Sequence, residues 1–165
     1  MAEYNYIQTI ELMDAINKLC NIDAVKVSME NTDWRGKKYK SDVVTLELEH
    51  NIGFEVLENE IIVFYFKDHT HFEDYSSDLD ADEPDYVARA IEFLVNLFTS
   101  KIRIEEYYTK DKLVRDRFYF ILPDGDEYIG GTFYKFWTAI LCKKKLQKKI
   151  HVWAYNKITK RFEEE

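Results

Sequence analysis

The chain has 165 residues, 46% of them hydrophobic and 16% aromatic, which supports one compact domain with a real core. A net charge of −8 argues against general nucleic-acid binding, which depends on neutralising phosphates. Five glycines and two prolines leave little room for glycine-rich cofactor loops, and no run of about 18 apolar residues offers a membrane span.

Tyr4 to Leu19 reads as a helix, because Ile7, Ile10, Leu12, Met13, Ile16 and Leu19 recur mostly at i, i+3 and i+4. The chain start lacks the basic region and apolar core of an export signal. Cys20 and Cys142 match no zinc spacing and, without an export signal, read as reduced thiols of a cytoplasmic protein. Ala24–Met29 is expected as a short strand and Asp33–Ser41 as a charged loop carrying Trp34. Val44, Leu46 and Leu48 alternate with Thr45, Glu47 and Glu49, the pattern of a half-buried strand. Asn51 turns the chain, and Ile52, Phe54 and Val56 form the hairpin partner. Ile61–Phe66 is uninterrupted and apolar, which predicts a strand at the centre of the sheet.

Glu73–Asp85 is the main long loop. It leads into a helix, with Asp82 as cap and Glu83, Pro84 and Asp85 suited to the first turn. Val87, Ile91, Leu94 and Leu97/Phe98 give that helix a wide apolar stripe to about Thr99. Ile102–Tyr108 and Leu113–Leu122 are strands joined by a tight turn, and Pro123-Asp124-Gly125-Asp126 is a further turn. Thr132 is a candidate cap for a helix over 133–142, although the aromatic run there also fits a strand. A hairpin, Ile150–Tyr155 to Arg161–Glu164, ends the chain. The sum is a single α+β domain spanning 1–165. It has a mainly antiparallel sheet of about six to eight strands, covered by two or three helices.

Charge is segregated along this domain. Glu73–Asp85 holds seven carboxylates in thirteen residues, whereas Lys143–Lys149 holds five lysines in seven. Over 131–165, nine Lys/Arg stand against three Glu, making the segment around 143–161 a basic one in an acidic chain. Such separation steers charged partners or favours attraction within the molecule. Carboxylates spaced along an exposed segment resemble a phosphate backbone, so Asp74, Asp78, Asp80, Asp82 and Glu83 are candidates to dock on a basic groove. Tyr75 and Leu79 would supply apolar anchors. The plainer reading is a solvated loop that keeps the protein soluble. Asp78, Asp80 and Asp82 also occupy the first three ligand positions of a calcium loop. That motif breaks where Glu83 stands for glycine and Arg89 for the final glutamate.

Two constellations lie outside the loop. His69 and His71 are spaced i, i+2, so in an extended segment both imidazoles reach one side, with Asp68, Glu73 and Asp74 nearby as further ligands. Arg103, Glu105 and Tyr107 share one face of a strand, and Arg115, Arg117 and Tyr119 share one face of its neighbour. Their arginines suit an anion; the plainer reading is a wet sheet face with cross-strand ion pairs.

No phosphate loop, dinucleotide fingerprint, His-Glu-X-X-His or Gly-X-Ser-X-Gly motif occurs, which lowers the expectation of an enzyme. No cofactor is implied. Size, acidity, aromatic richness and the missing catalytic motif are similar to those of small bacterial immunity and inhibitor proteins. The leading expectation is therefore an acidic cytoplasmic binding protein that covers a basic site on a protein partner, such as a nuclease-type toxin. The alternative is a metal- or anion-dependent enzyme or ligand-binding domain. It would use His69 and His71, or the face carrying Arg103, Arg115 and Arg117.

Overall fold

Period-two alternation resolves, among the described residues, into two antiparallel sheets of five strands each rather than one sheet of six to eight. Two α-helices accompany them among the described residues, so the fold is α+β. The computed structural model describes residues 4–34, 36–74, 85–135 and 146–165. The chain divides into two units, Met1–Val95 and Asn96–Glu165.

The first unit opens with α1 (Ile7–Cys20), whose Leu12 and Ile16 are fully buried. A five-strand meander follows: β1 (Lys26–Trp34), β2 (Lys37–Glu47), β3 (Ile52–Leu57), β4 (Glu60–Tyr65) and β5 (Asp68–Glu73), each beside the next. Val44, Phe54, Val56, Ile61, Val63 and Tyr65 form the core side of this sheet.

The segment 33–41, expected as a charged loop, belongs instead to the β1–β2 hairpin. Asp33 stands opposite Lys38 and Asn31 opposite Lys40. Residues 37–40 of β2 are exposed. The exposed run 37–40 leaves no hydrophobic alternation to read; cross-strand pairing holds it, with the Tyr6 hydroxyl donating to the Lys40 carbonyl at 2.9 Å.

The apolar strand β4 is likewise not central. It lies next to β5, which forms the edge, and β3 takes the middle position. Ile61, Val63 and Tyr65 face the core, while Phe64 stands opposite Gly53 on the other face. A Cβ on Gly53 would come within 2.6 Å of the Phe64 ring and 2.1 Å of the Val44 carbonyl oxygen. The extra apolarity of β4 therefore covers a bare glycine on the central strand.

The start of α1 is secured from β2. Tyr6 occupies the N-cap position without a side-chain cap. The carboxylate of Asp42, fully buried, accepts hydrogen bonds from the Asn5 and Tyr6 backbone N–H groups (3.1 and 3.0 Å). It also accepts from the Asn5 amide at 2.9 Å and the Thr9 hydroxyl at 2.8 Å. The acid expected of a local cap thus comes from a strand.

Helix α2 (Tyr86–Thr99) contains the boundary between the units. In the first unit its Phe93 packs on Tyr65 and Phe72, with ring centroids 5.3 and 5.6 Å away. In the second unit Phe98 meets Tyr155 edge-on at 4.9 Å and Phe162 at 5.7 Å. The proposed cap at Asp82 lies outside the described residues.

The second unit comprises β6 (Lys101–Thr109), β7 (Lys112–Leu122), β8 (Gly125–Gly130), β9 (Gln147–Asn156) and β10 (Arg161–Glu164), in the order β10-β9-β6-β7-β8. Lys110 and Asp111 adopt positive φ at the β6–β7 turn, matching the twist of a two-residue hairpin. Ile102, Val114, Phe118, Phe120 and Phe162 form its core. No helix begins at Thr132. Asp116, buried in β7, accepts from the Thr132 N–H at 2.7 Å and the Tyr134 hydroxyl at 2.8 Å. Phe133 makes an antiparallel bridge with Arg115, so 132–134 is drawn along β7 instead. Residues 136–145, with most of the expected helix and the lysines from Lys143 to Lys145, lie outside the described residues.

Candidate functional site

Alternation along β6 places Arg103, Glu105 and Tyr107 on the sheet face opposite Ile102 and Ile104. The register sets Tyr119 against Arg103, Arg117 against Glu105 and Arg115 against Tyr107. The face expected from the sequence is therefore assembled. Strand β9 extends it with Lys148, opposite Tyr107, and β8 with Tyr128, opposite Tyr119.

Glu105 sits at the centre. Its side chain is only 7% exposed, and Lys148 Nζ donates to its Oε1 at 2.7 Å. The Tyr107 hydroxyl donates to Oε2 at 2.7 Å, and Arg103 Nε lies 3.3 Å from Oε1. Burial pushes the Glu105 pKa up, but the Lys148 and Tyr107 hydrogen bonds and the Lys148 and Arg103 charges outweigh it, so the net shift is downward. Burial and the hydrogen bond to Glu105 raise the Tyr107 pKa, keeping it a neutral donor. The bond to Glu105 is also the main reason that the Lys148 pKa is raised.

The three arginines have different surroundings. Arg103 is neutralised: it pairs with Glu105 and, through Nη1, with Asp126, and its guanidinium lies 4.5 Å from the Tyr119 ring centroid. Arg115 lies over Phe133 at 4.3 Å and 6.0 Å from the Tyr107 centroid. Arg117 lies 5.8 Å from the same Tyr107 ring and hydrogen-bonds Tyr119. Among the described residues neither Arg115 nor Arg117 has a carboxylate within ion-pair distance. Arg117 Nε is buried without a hydrogen-bond partner among the described residues. Leaving such a donor unmade costs about 1–3 kcal/mol. Among the described residues, Arg103, Arg115, Arg117 and Lys148 are thus set against Glu105 and Asp126. The surplus positive charge is held on a rigid aromatic surface, a geometry suited to planar carboxylate or phosphate groups.

The histidine pair is on β5. The His69 and His71 rings meet edge-on with centroids 5.0 Å apart. Both are exposed. The ligand atoms that converge, however, are those of His71, Glu73 and Glu60, the last from β4, all within 4.8 Å of one another. Of the acidic candidates, Asp74 is exposed just past β5, its N–H bonded to the Asn59 carbonyl at 2.9 Å. Tyr75, Asp78, Leu79, Asp80, Asp82 and Glu83 lie outside the described residues.

Sequence reasoning missed Lys148 and Asp126 at the sheet face and Glu60 beside the histidines. Lys148 is 43 residues from Glu105 and arrives only because β9 pairs with β6. The alternation from Lys148 through Ile150 to Val152 was the one available signal. No family model matches the chain, and neither a curated protein nor a solved structure matches it.

Proposed function

We propose that the second unit is a binding module for a small anionic ligand, taken up on the β6–β7–β9 face through Arg115 and Arg117. The observation that carries this reading is that, among the described residues, the buried Nε of Arg117 has no partner and the neighbouring Arg115 no carboxylate. A small shift of the Arg117 side chain would let a carboxylate or phosphate oxygen satisfy that donor, and two neighbouring guanidinium groups offer bidentate contact. Glu105 acts as an internal brace: it ties down Lys148, Tyr107 and Arg103 and leaves Arg115 and Arg117 for the ligand. In unfolding scans of the full chain, phosphate and citrate are expected to raise Tm in a saturable way. The Arg117→Ala variant should bind about 10- to 100-fold more weakly, the value of a charged hydrogen bond. An equal response in wild type and in an Arg115→Ala, Arg117→Ala double variant would refute the proposal.

A second reading rests on charge segregation: the acid-rich stretch 73–85 docks on a basic protein surface and occludes it. Its support is seven carboxylates in thirteen residues of an already acidic chain. Asp78→Asn, Asp80→Asn, Asp82→Asn in one chain should slow association with a cationic protein partner and flatten its salt dependence. Unchanged association kinetics would remove this reading.

A further inference from the structure

We infer a divalent transition-metal site on the outer face of the β4–β5 pair, formed by Glu60, His71 and Glu73. Glu60 and Glu73 stand directly opposite each other in the register, and His71 is two residues before Glu73 on the same face. Like charges placed directly opposite on neighbouring strands destabilise a sheet. Nothing in the packing demands glutamate at either position, since the core side of this pair is built by Ile61, Val63 and Phe72. A bound cation turns the opposition into an attraction. His71 Nδ1 already contacts the Glu60 carboxylate, and the ligand atoms of the three residues lie within 4.8 Å.

The donor set fixes the class of ion. One imidazole nitrogen with two carboxylate oxygens suits zinc and its neighbours, whereas calcium and magnesium take oxygen ligands throughout. Tetrahedral zinc with ligands about 2.0–2.2 Å away needs donor atoms roughly 3.4 Å apart. Small rotamer changes of Glu60, 28% exposed, and of the half-buried Glu73 close the remaining distance to the His71 ring, 44% exposed. That exposure also leaves the ion an entry path and a position for solvent. His69 packs edge-on against the His71 ring and restrains it.

A competing cluster, Glu47, Glu49 and His50, is already committed. Both Glu47 oxygens accept backbone N–H groups of the following turn, from Glu49 at 3.2 Å and His50 at 2.7 Å. Glu47 is 4% exposed, so it closes a turn rather than facing solvent.

The test is calorimetric titration of the metal-stripped full chain with zinc chloride, supported by visible absorption on adding cobalt(II). One equivalent is expected to bind, with at least tenfold loss of affinity in His71→Ala and again in the near-isosteric Glu73→Gln, and no loss in His50→Ala. Absence of stoichiometric zinc binding would overturn the site. So would binding that survives His71→Ala and Glu73→Gln, or that is lost in His50→Ala.

Discussion

Asp42 in the first unit and Glu105 in the second are both carboxylates withdrawn from water, at 0% and 6% exposure. Their partners differ in kind. Asp42 is held by neutral donors: two backbone N–H groups, an amide and a hydroxyl, all near the start of α1. Glu105 is held by Lys148, Arg103 and a tyrosine hydroxyl. The first arrangement is closed, because every donor belongs to the fold. The second is open, because the cations around Glu105 outnumber the carboxylates and Arg117 keeps a buried donor unused. Burial of a carboxylate therefore does not by itself mark a functional site; the balance of its surroundings does.

The greatest loss of stability is expected of Asp42→Ala. It strands the Tyr6 N–H, the Asn5 donors and the Thr9 hydroxyl, so a loss of about 3 kcal/mol is expected in urea unfolding of the full chain, with anion affinity unchanged. Glu105→Gln should act differently and more weakly on stability, by about 2 kcal/mol at neutral pH, because polar contacts remain although a buried charge pair is broken. It should also raise anion affinity severalfold, since it frees positive charge on the face. A Glu105→Gln variant that binds phosphate more weakly than wild type would break the contrast. The sign of the pH effect follows from the lowered Glu105 pKa. Its contribution is present above the ordinary value of 4.5 and is lost as pH falls through the lower folded value. Unfolding measured from pH 6 to pH 3 should show a shallower acid limb in Glu105→Gln than in wild type.

The β6–β7 face was legible because both strands are continuous and alternate, and a tight turn fixes their register; Arg103, Glu105, Tyr107, Arg115, Arg117 and Tyr119 followed from that alone. Helix α2 and the β9–β10 hairpin were legible for the same local reason. The division into two sheets was not. Partner choice among strands depends on which faces pack together, and one-dimensional alternation does not encode that. Strand β5 was hidden because its sequence, Asp68 to Glu73, is polar on both sides of Phe72 and merges into the acid-rich stretch. Glu60 and Lys148 were missed because each reaches its cluster across a strand pairing. The charged β1–β2 ribbon looked like a loop because residues 37–40 are exposed and show no apolar alternation to betray the strand period.

Asp42 lies 33 residues beyond Thr9, yet it governs where α1 begins. The helix carries no acidic residue in its first turn, and its 14 residues are close to the length at which an isolated helix is marginal in water. Its own sequence therefore specifies an amphipathic stripe but not a stable start. The first turn of α1 and strand β2 must come and go as one cooperative unit, so whatever loosens the β2 ladder at Asp42 also frays the helix. In this unit the boundary between helix and sheet is a matter of assembly, not of propensity.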